Sequence, residues 1–494
     1  MTKSRHNKIP LQVNEVLEDS AELLLNFLEY SKSGASPVLQ NEHIGDIANQ
    51  LNVQHHLING FQSKEEIKKF IKTYLDYSTQ IHNPHYVGHQ VSIPHELSIV
   101  PELIHGVLNN PTTLYEMGQS GATLEHFVIN WMLSKLGWFK GEHLLDFRNR
   151  ENGGSGFLTH GGSLANLTVL CAARASISPD AWTKGNPKDL VVMGPKSVHY
   201  SISRALSIMG LGSNAYVSIP TDKYEIIKAD QIQSTYDAII KSGKRVMLMI
   251  ANGCATSTGY FDPIEEMGEF CSKNDIWFHV DGAHGAVALL SKKYKHFLTG
   301  IELADSMIWD AHKMMRTSTL CTAILFKKYK HQSQNLKQKG GYLFHEKKSF
   351  GKDTLPYTIE CTKAPLGTKI YWALAAEGEK AMESYVESCF DKAREFYLLI
   401  EKSEDFEGFS PPETNIICYR YRPDIISNQQ QLELRNKVIE LGQTYITSTE
   451  ILGTRYLRNT ICNPLTKTEN FLFTLQKIRE AYSTLVGNHF VSKQ

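Results

Sequence analysis

The sequence predicts an α/β protein built around a mostly parallel, doubly wound sheet. Three observations carry this. The chain has 494 residues, too many for one small core. From about residue 155 to 330, short apolar runs alternate with helical stretches. The runs are rich in branched and aromatic residues and end in small or polar ones. Strands that alternate with helices pair side by side in parallel. In such sheets ligands bind beyond the carboxyl ends of the strands, so chemistry is expected there.

The strand-length runs are 190–193, 215–219, 246–251, 276–280, 306–309 and 321–326. Ahead of them, residues 11 to about 80 read as helices. Val13, Val16, Leu17, Leu23, Leu24, Leu25 and Phe27 approximate a helical stripe. Ser63-Lys-Glu-Glu66 before Ile67 resembles a capping box. The stripe could cover core or a partner surface. Residues 81–120, richer in Pro and His, read as loop plus helix. Residues 328–360 are polar, with Lys, Gln and Gly clusters, and read as an extended loop. A long helix is expected over 366–402. The tail, 403–494, reads as a small α+β unit with strands near 415–420 and 457–462 and a last helix over 468–485.

Hydrophobic residues make up 41% and charged residues 21%, an ordinary balance for a soluble enzyme. Lys+Arg and Asp+Glu number 52 each, which argues against binding nucleic acid through bulk positive charge. The first twelve residues carry charge with no apolar stretch behind them, so no secretory signal is read there. The longest apolar runs are too short to cross a bilayer, and no membrane partner is expected. The eight cysteines form no C-x-x-C pair, and several sit in strand-like runs such as 320–326. They read as buried, reduced thiols of a cytoplasmic protein. His55-His56, His89 and His95 have no Cys or carboxylate at ligand spacing, so no metal site is expected.

Four features fall where strands should end. Thr159-His-Gly-Gly-Ser-Leu-Ala-Asn166 precedes an apolar helix; small residues there let backbone N–H groups and a helix N-terminus approach an anion. Phe278-His-Val-Asp-Gly-Ala-His284 puts Asp281 at the end of a buried strand, where it is either a helix cap or an anion awaiting a cation. Ser306-Met-Ile-Trp-Asp-Ala-His-Lys313 puts Lys313 just past the next strand, either a solvated lysine or an amine that condenses with a carbonyl. Ser197-Val-His-Tyr-Ser201 puts His199 after another strand, either a half-buried structural histidine or a flat group against a ring. Together a phosphate cradle, a flat residue, an anion and an amine are what pyridoxal phosphate requires.

In this order and spacing, GGSLANL, SVHYS, FDPIEEMGEFCSKNDIWFHVDGAHG and ADSMIWDAHKMM resemble the pyridoxal-phosphate-dependent group II amino-acid decarboxylases. That family includes the glutamate, cysteine-sulfinate and aromatic amino-acid decarboxylases. The resemblance runs from about residue 83 to the end. Glutamate decarboxylase is nearest in texture, through Asn109-Asn to Tyr115-Glu-Met, Gly341-Tyr-Leu-Phe344, Glu360-Cys-Thr362 and Asn415-Ile-Ile-Cys418.

The resemblance implies a fold type I, aspartate-aminotransferase-like enzyme, with pyridoxal 5'-phosphate as cofactor and a homodimer whose sites take loops from both subunits. It implies that Lys313 holds the cofactor covalently and that His312 beside it helps proton transfer. Asp281 matches the ring-nitrogen partner, Ala283 lies against the ring, and His199 stacks on its other face. Gly162 and Ser163 match phosphate-binding positions. Thr256 matches a threonine near the cofactor. Arg458 matches an arginine near the substrate carboxylate, and Gln90 a substrate-side glutamine at a spacing one residue different.

Three departures stand out. Asp310, at a cofactor-binding position, sits where many relatives have Asn. Asn252 to Ala255 replace a more usual Gly-Thr-Thr. The loop at about 345–360 is two residues shorter than in glutamate decarboxylase, and Tyr357 is the only tyrosine in it to match a proton-donating one.

The expected organisation is a helical dimerisation segment over 1–110, a large cofactor-binding domain over 111–370 and a small C-terminal domain over 371–494. The expected reaction is α-decarboxylation of an L-amino acid to its amine, with an acidic amino acid or diaminobutyrate favoured. Transamination or aldehyde-forming oxidative deamination on the same scaffold is the alternative. A catalytically silent interaction protein that keeps the fold is the alternative of another class.

Overall fold

The computed structural model describes residues 13–147, 153–333, 336, 351–422 and 426–491. The first twelve residues, the Gly341-to-Phe344 segment and the first part of the loop at 345–360 lie outside these.

Seven strands form the main sheet: β1 (Ser155–Thr159), β2 (Leu190–Pro195), β3 (Tyr216–Ile219), β4 (Arg245–Asn252), β5 (Trp277–Asp281), β6 (Ser306–Asp310) and β7 (Thr322–Phe326). Their order is β1-β7-β6-β5-β4-β2-β3. Only β7 runs against the rest, pairing antiparallel with β1 and β6. The mostly parallel sheet expected from the sequence is present. All six expected strands form, and β1 joins them as a seventh.

Why these segments are strands follows from their two buried faces. A parallel sheet covered by helices on both sides selects near-continuous apolar runs. Side chains still alternate between the faces. Leu190 and Val192 of β2, with Ile324 and Phe326 of β7, pack under the helices Gly162–Ile177 and Ser201–Ile208. Val191, Met193, Ala323 and Leu325 face the other way, against the helices Gln119–Lys135, Ile264–Asn274 and Leu366–Ala375.

A second, antiparallel sheet follows in the order β10-β11-β9-β8. Its strands are β8 (Phe406–Gly408), β9 (Ile416–Tyr421), β10 (Thr447–Ile451) and β11 (Thr454–Thr460). The helices Asn428–Leu441 and Thr468–Val491 cover it around Tyr419, Leu457 and Phe471. The helix expected over 366–402 is two helices, Leu366–Ala375 and Glu379–Glu401, because Gly378 with φ +87° turns the chain between them. The second joins the two cores: Met382, Tyr385 and Phe390 pack with the main sheet, Phe396 and Ile400 with the small one. The expected break after residue 370 falls inside the first of the two helices, Leu366–Ala375.

The N-terminal part is helical as expected, with helices Val13–Lys32, Ile44–Gln50, Val53–Asn59 and Lys64–Asp76. Ser63 caps the last of these, accepting from the Glu66 amide at 3.2 Å. Across the helix Val13–Lys32 only Ser31 is buried.

Candidate active site

The register of the parallel strands lines up their carboxyl ends. Asn252 of β4 lies beside Asp281 of β5, and Asp281 beside Ile308 of β6. Two residues on, Asp310 pairs with Thr322 of β7, which pairs with Thr159 of β1. Just beyond this row opens a cavity of about 190 Å³. Gly162, Ser163, His199, Thr256, Asp281, Ala283, Asp310 and Lys313 all line it. Residues up to 151 positions apart in sequence are brought together because each follows or ends a neighbouring strand.

One hydrogen-bond chain aims the anion. Trp277 Nε1 donates to Ser306 Oγ at 2.9 Å, and Ser306 lies 2.9 Å from His279 Nδ1. His279 Nε2 lies 3.1 Å from Asn166 Oδ1, and Asn166 Nδ2 donates to Asp281 Oδ2 at 3.0 Å. Asn166 Nδ2 also donates to Ser201 Oγ at 2.9 Å, and Ser201 lies 2.8 Å from His199 Nδ1. Counting donors assigns the tautomers. His279 Nε2 faces the Asn166 amide oxygen, which only accepts, and His199 Nδ1 accepts from the Ser201 backbone N–H at 3.3 Å, so each imidazole carries its hydrogen on Nε2. Burial pushes the His279 imidazolium down to about 4 and also lowers His199, against the opposing pull of Asp281, so both rings are neutral. The second oxygen of Asp281 accepts from the Ala283 amide at 3.2 Å.

Lys313 points its ammonium at Asp310, Nζ to Oδ2 being 3.2 Å. Asp310 Oδ1 accepts from Thr322 Oγ1 at 2.5 Å. The backbone carbonyl of Lys313 accepts from Ser92 Oγ, which ties residues from before the main sheet to the lysine's turn. Gly162 opens the helix Gly162–Ile177 directly over Asp310: a Cβ there would come within 3.2 Å of Asp310 Oδ2. These groups fit pyridoxal phosphate. An anion and an amine lie in one small cavity with a neutral imidazole and the start of a helix.

Four expected residues lie elsewhere. His312 is buried beside the cavity, with Nδ1 2.9 Å from the Cys321 carbonyl and Nε2 3.8 Å from Asp310 Oδ2. Arg458 and Gln90 line an adjoining cavity of about 450 Å³, which shares His199 and Thr256 with the first. Arg458 is 5% exposed, and its Nε and Nη2 find no hydrogen-bond acceptor among the described residues. Gln90 Nε2 is likewise unpaired there. Tyr357 lines neither cavity: its hydroxyl meets that of Tyr329 at 3.0 Å, and its ring packs with the core under β7.

Sequence reasoning gave no site role to Asn166, Asn252, Cys254 and His284, which also line the cofactor cavity. The signal for Asn166 was a lone amide near the start of an apolar helix. Cys254 takes φ +105° in the segment that departs from the usual pattern, and burial pushes its thiol up to about 12, so it stays protonated. His284 Nε2 donates to Asn415 Oδ1 at 2.7 Å.

The expectation that His55-His56 lack a carboxylate is corrected by the fold. The turn between two helices brings Glu66 to them, and the three offer ligand atoms within 4.8 Å of one another. This group lies in the N-terminal helices and lines neither cavity.

Comparison with known proteins follows the same line. The model of the pyridoxal-dependent decarboxylase conserved domain matches residues 54–422. Acidic amino acid decarboxylase GADL1 of Mus musculus is 27% identical over 379 residues, 75% of this chain and 66% of that protein. The chain thus aligns with just under two thirds of that relative's length. The crystal structure of mouse CSAD superposes with a TM-score of 0.86 at 22% identity, over 96% of this chain and 99% of that one. The glutamate decarboxylase domain of a diaminobutyrate-pyruvate transaminase and L-2,4-diaminobutyrate decarboxylase from Vibrio parahaemolyticus does so with 0.83 at 19%, over 98% of each. The two structures share the fold. The family match spans most of the chain and takes in both Asp281 and Lys313, and the chain belongs to the pyridoxal-dependent decarboxylase family.

Proposed function

We propose that the protein is a pyridoxal-phosphate-dependent carboxy-lyase acting on an L-amino acid, with an acidic amino acid or diaminobutyrate favoured. The observation that carries this is Arg458. A buried guanidinium with two unpaired nitrogens is costly unless an anion completes it. It lines a cavity that shares His199 and Thr256 with the cofactor's, where a substrate carboxylate would sit.

The bound cofactor supplies an electron sink for the bond broken at the α-carbon. The chain's residues do the rest. Asp281, its oxygens held by Asn166 and Ala283, favours a protonated ring nitrogen. Lys313 would provide the amine that anchors the cofactor. His199, neutral and fixed through Ser201, offers a flat face. His312, buried at the lysine's turn, serves proton transfer. Arg458 and Gln90 hold the substrate. Lys196 and Arg458 share their cavity with Glu225 and Glu450, so charges of both signs are on hand for a charged side chain. The likeness to an acidic amino acid decarboxylase supports the acidic choice.

We read the enzyme as a cytoplasmic homodimer. Leu17, Leu25, Leu103, Val107 and Leu108 are all more than half exposed on N-terminal helices, and such a surface needs a partner. All eight cysteines are free and seven are buried, which suits a reducing compartment. No helix among the described residues is long and apolar enough to cross a membrane.

Aldehyde formation is the second reading, favoured by the seat of Tyr357 against Tyr329, away from both cavities. Carbon dioxide release by purified protein should be screened against the common amino acids and 2,4-diaminobutyrate, with products analysed for amine, aldehyde and peroxide. Amine from an acidic or diamino substrate is expected. Aldehyde with peroxide would select the second reading, and no turnover of any substrate would remove both.

A further inference from the structure

We infer that Asp310 makes the cofactor exchangeable, by opposing its phosphate inside the cavity that binds it. The premise is an excess of negative charge. Two carboxylates, Asp281 and Asp310, line the cavity, and among the described residues Lys313 is the only lysine or arginine to do so. Asp281 is matched to the far end of the cofactor, the ring nitrogen. Asp310 is not. Its carboxylate is 3% exposed and lies against Gly162, the first residue of the helix that offers N–H groups to an anion. An anion seated at that helix start shares its pocket with this carboxylate.

The groups around Asp310 compensate only in part. From its own turn come Lys313 Nζ at 3.2 Å and His312 Nε2 at 3.8 Å. From β7 comes the Thr322 hydroxyl at 2.5 Å. Across the cavity stand His199, held neutral by burial, and Asp281, which is also negative. The one full cation, Lys313, is also the amine that would anchor the cofactor, so its single charge would serve both Asp310 and the incoming phosphate. Seating the cofactor would add a second anion beside the carboxylate without adding a cation. That excess favours release, so occupancy follows the supply of cofactor.

The test is cofactor affinity, measured on apo-protein by equilibrium dialysis at fixed pH and salt. Two ligands are compared: pyridoxal phosphate, and pyridoxal, which carries the same aldehyde without the phosphate. Asp310→Asn keeps the shape and a hydrogen bond to Thr322 while removing the charge. It is expected to tighten pyridoxal phosphate by about tenfold or more, as for removing a like charge at short range in a partly buried site. Pyridoxal should change much less. Equal tightening of both ligands would assign the effect to Lys313 alone and overturn the inference. So would unchanged or weaker binding of pyridoxal phosphate. If D310N does not give the circular dichroism of the parent, Asp310→Ser is judged by the same two ratios. The inference rests on the cofactor reading, and the two fail differently: parent protein that binds neither ligand refutes that reading, whatever the variants do.

Discussion

Lys363→Met should strand a carboxylate in the interior. Lys363 Nζ lies 2.5 Å from Glu125 Oε1 and donates to the Leu158 carbonyl at 3.0 Å. The two side chains are 0% and 2% exposed. Glu125 Oε1 also accepts from the Leu158 amide at 3.0 Å, so the pair grips β1 just before the phosphate cradle. With methionine at 363 the buried carboxylate loses the cation paired with it, a change that costs about 3–5 kcal/mol. Adding Glu125→Gln removes the charge and keeps an acceptor for the Leu158 amide. The double variant should then recover most of the loss, leaving about 1–2 kcal/mol for the bonds to backbone. Urea unfolding of the apo-proteins at matched concentration, followed by fluorescence and circular dichroism, measures both. The reasoning is refuted if the single variant is no less stable than the double, because the cost would then belong to packing and not to the unpaired charge.

Arg458→Met should lower kcat/KM by about 10- to 150-fold, the value of one charge-assisted hydrogen bond of about 1.5–3 kcal/mol, while cofactor affinity stays unchanged. A loss of cofactor binding instead would make it structural. Burial, with Lys313 and Arg458 nearby, pushes the His284 imidazolium from its ordinary 6.5 down to about 3. The unfolded chain therefore binds a proton that the fold does not between these values. The stability this group contributes is full above about pH 6.5 and is lost as pH falls toward 3, at about 1.4 kcal/mol per pH unit. His284→Gln should flatten the acid-unfolding curve of the apo-protein by that one proton, and an unchanged slope would contradict it. Tyr357→Phe should leave the amine-to-aldehyde ratio unchanged, since the hydroxyl is engaged with Tyr329; a fall in amine would bring Tyr357 back to the reaction.

The strands that carry the chemistry were legible because each is apolar on both faces and ends on a small or polar residue. β1 was not. Its five residues, Ser-Gly-Phe-Leu-Thr, include only two large apolar ones, and it forms because β7 supplies a pairing edge from 167 positions away. Helix 366–402 was overextended because Gly378 looks tolerable inside an apolar pattern, and only its positive φ marks the turn. Asp281, Lys313 and His199 could be read because their motifs keep order and spacing. Pairings across the fold could not. Nothing in the local sequence says that Glu125 meets Lys363, 238 positions on, or that His279, inside a strand, braces Asn166. Charge carried on a neighbouring helix, as at Glu66 beside His55-His56, is equally silent until the helices are placed.

The chain of donors running from Trp277 to Asp281 has a consequence for the cost of binding. Asn166 spends both its amide hydrogens and its oxygen on fixed neighbours, so it cannot flip. Asp281 in turn cannot rotate without giving up the Ala283 amide. The carboxylate is frozen before any ligand arrives, and no rotamer entropy is surrendered when a ring nitrogen meets it. Because the brace passes through Ser306 on β6, the strand that leads to Lys313, preorganisation of the anion and of the amine shares that strand.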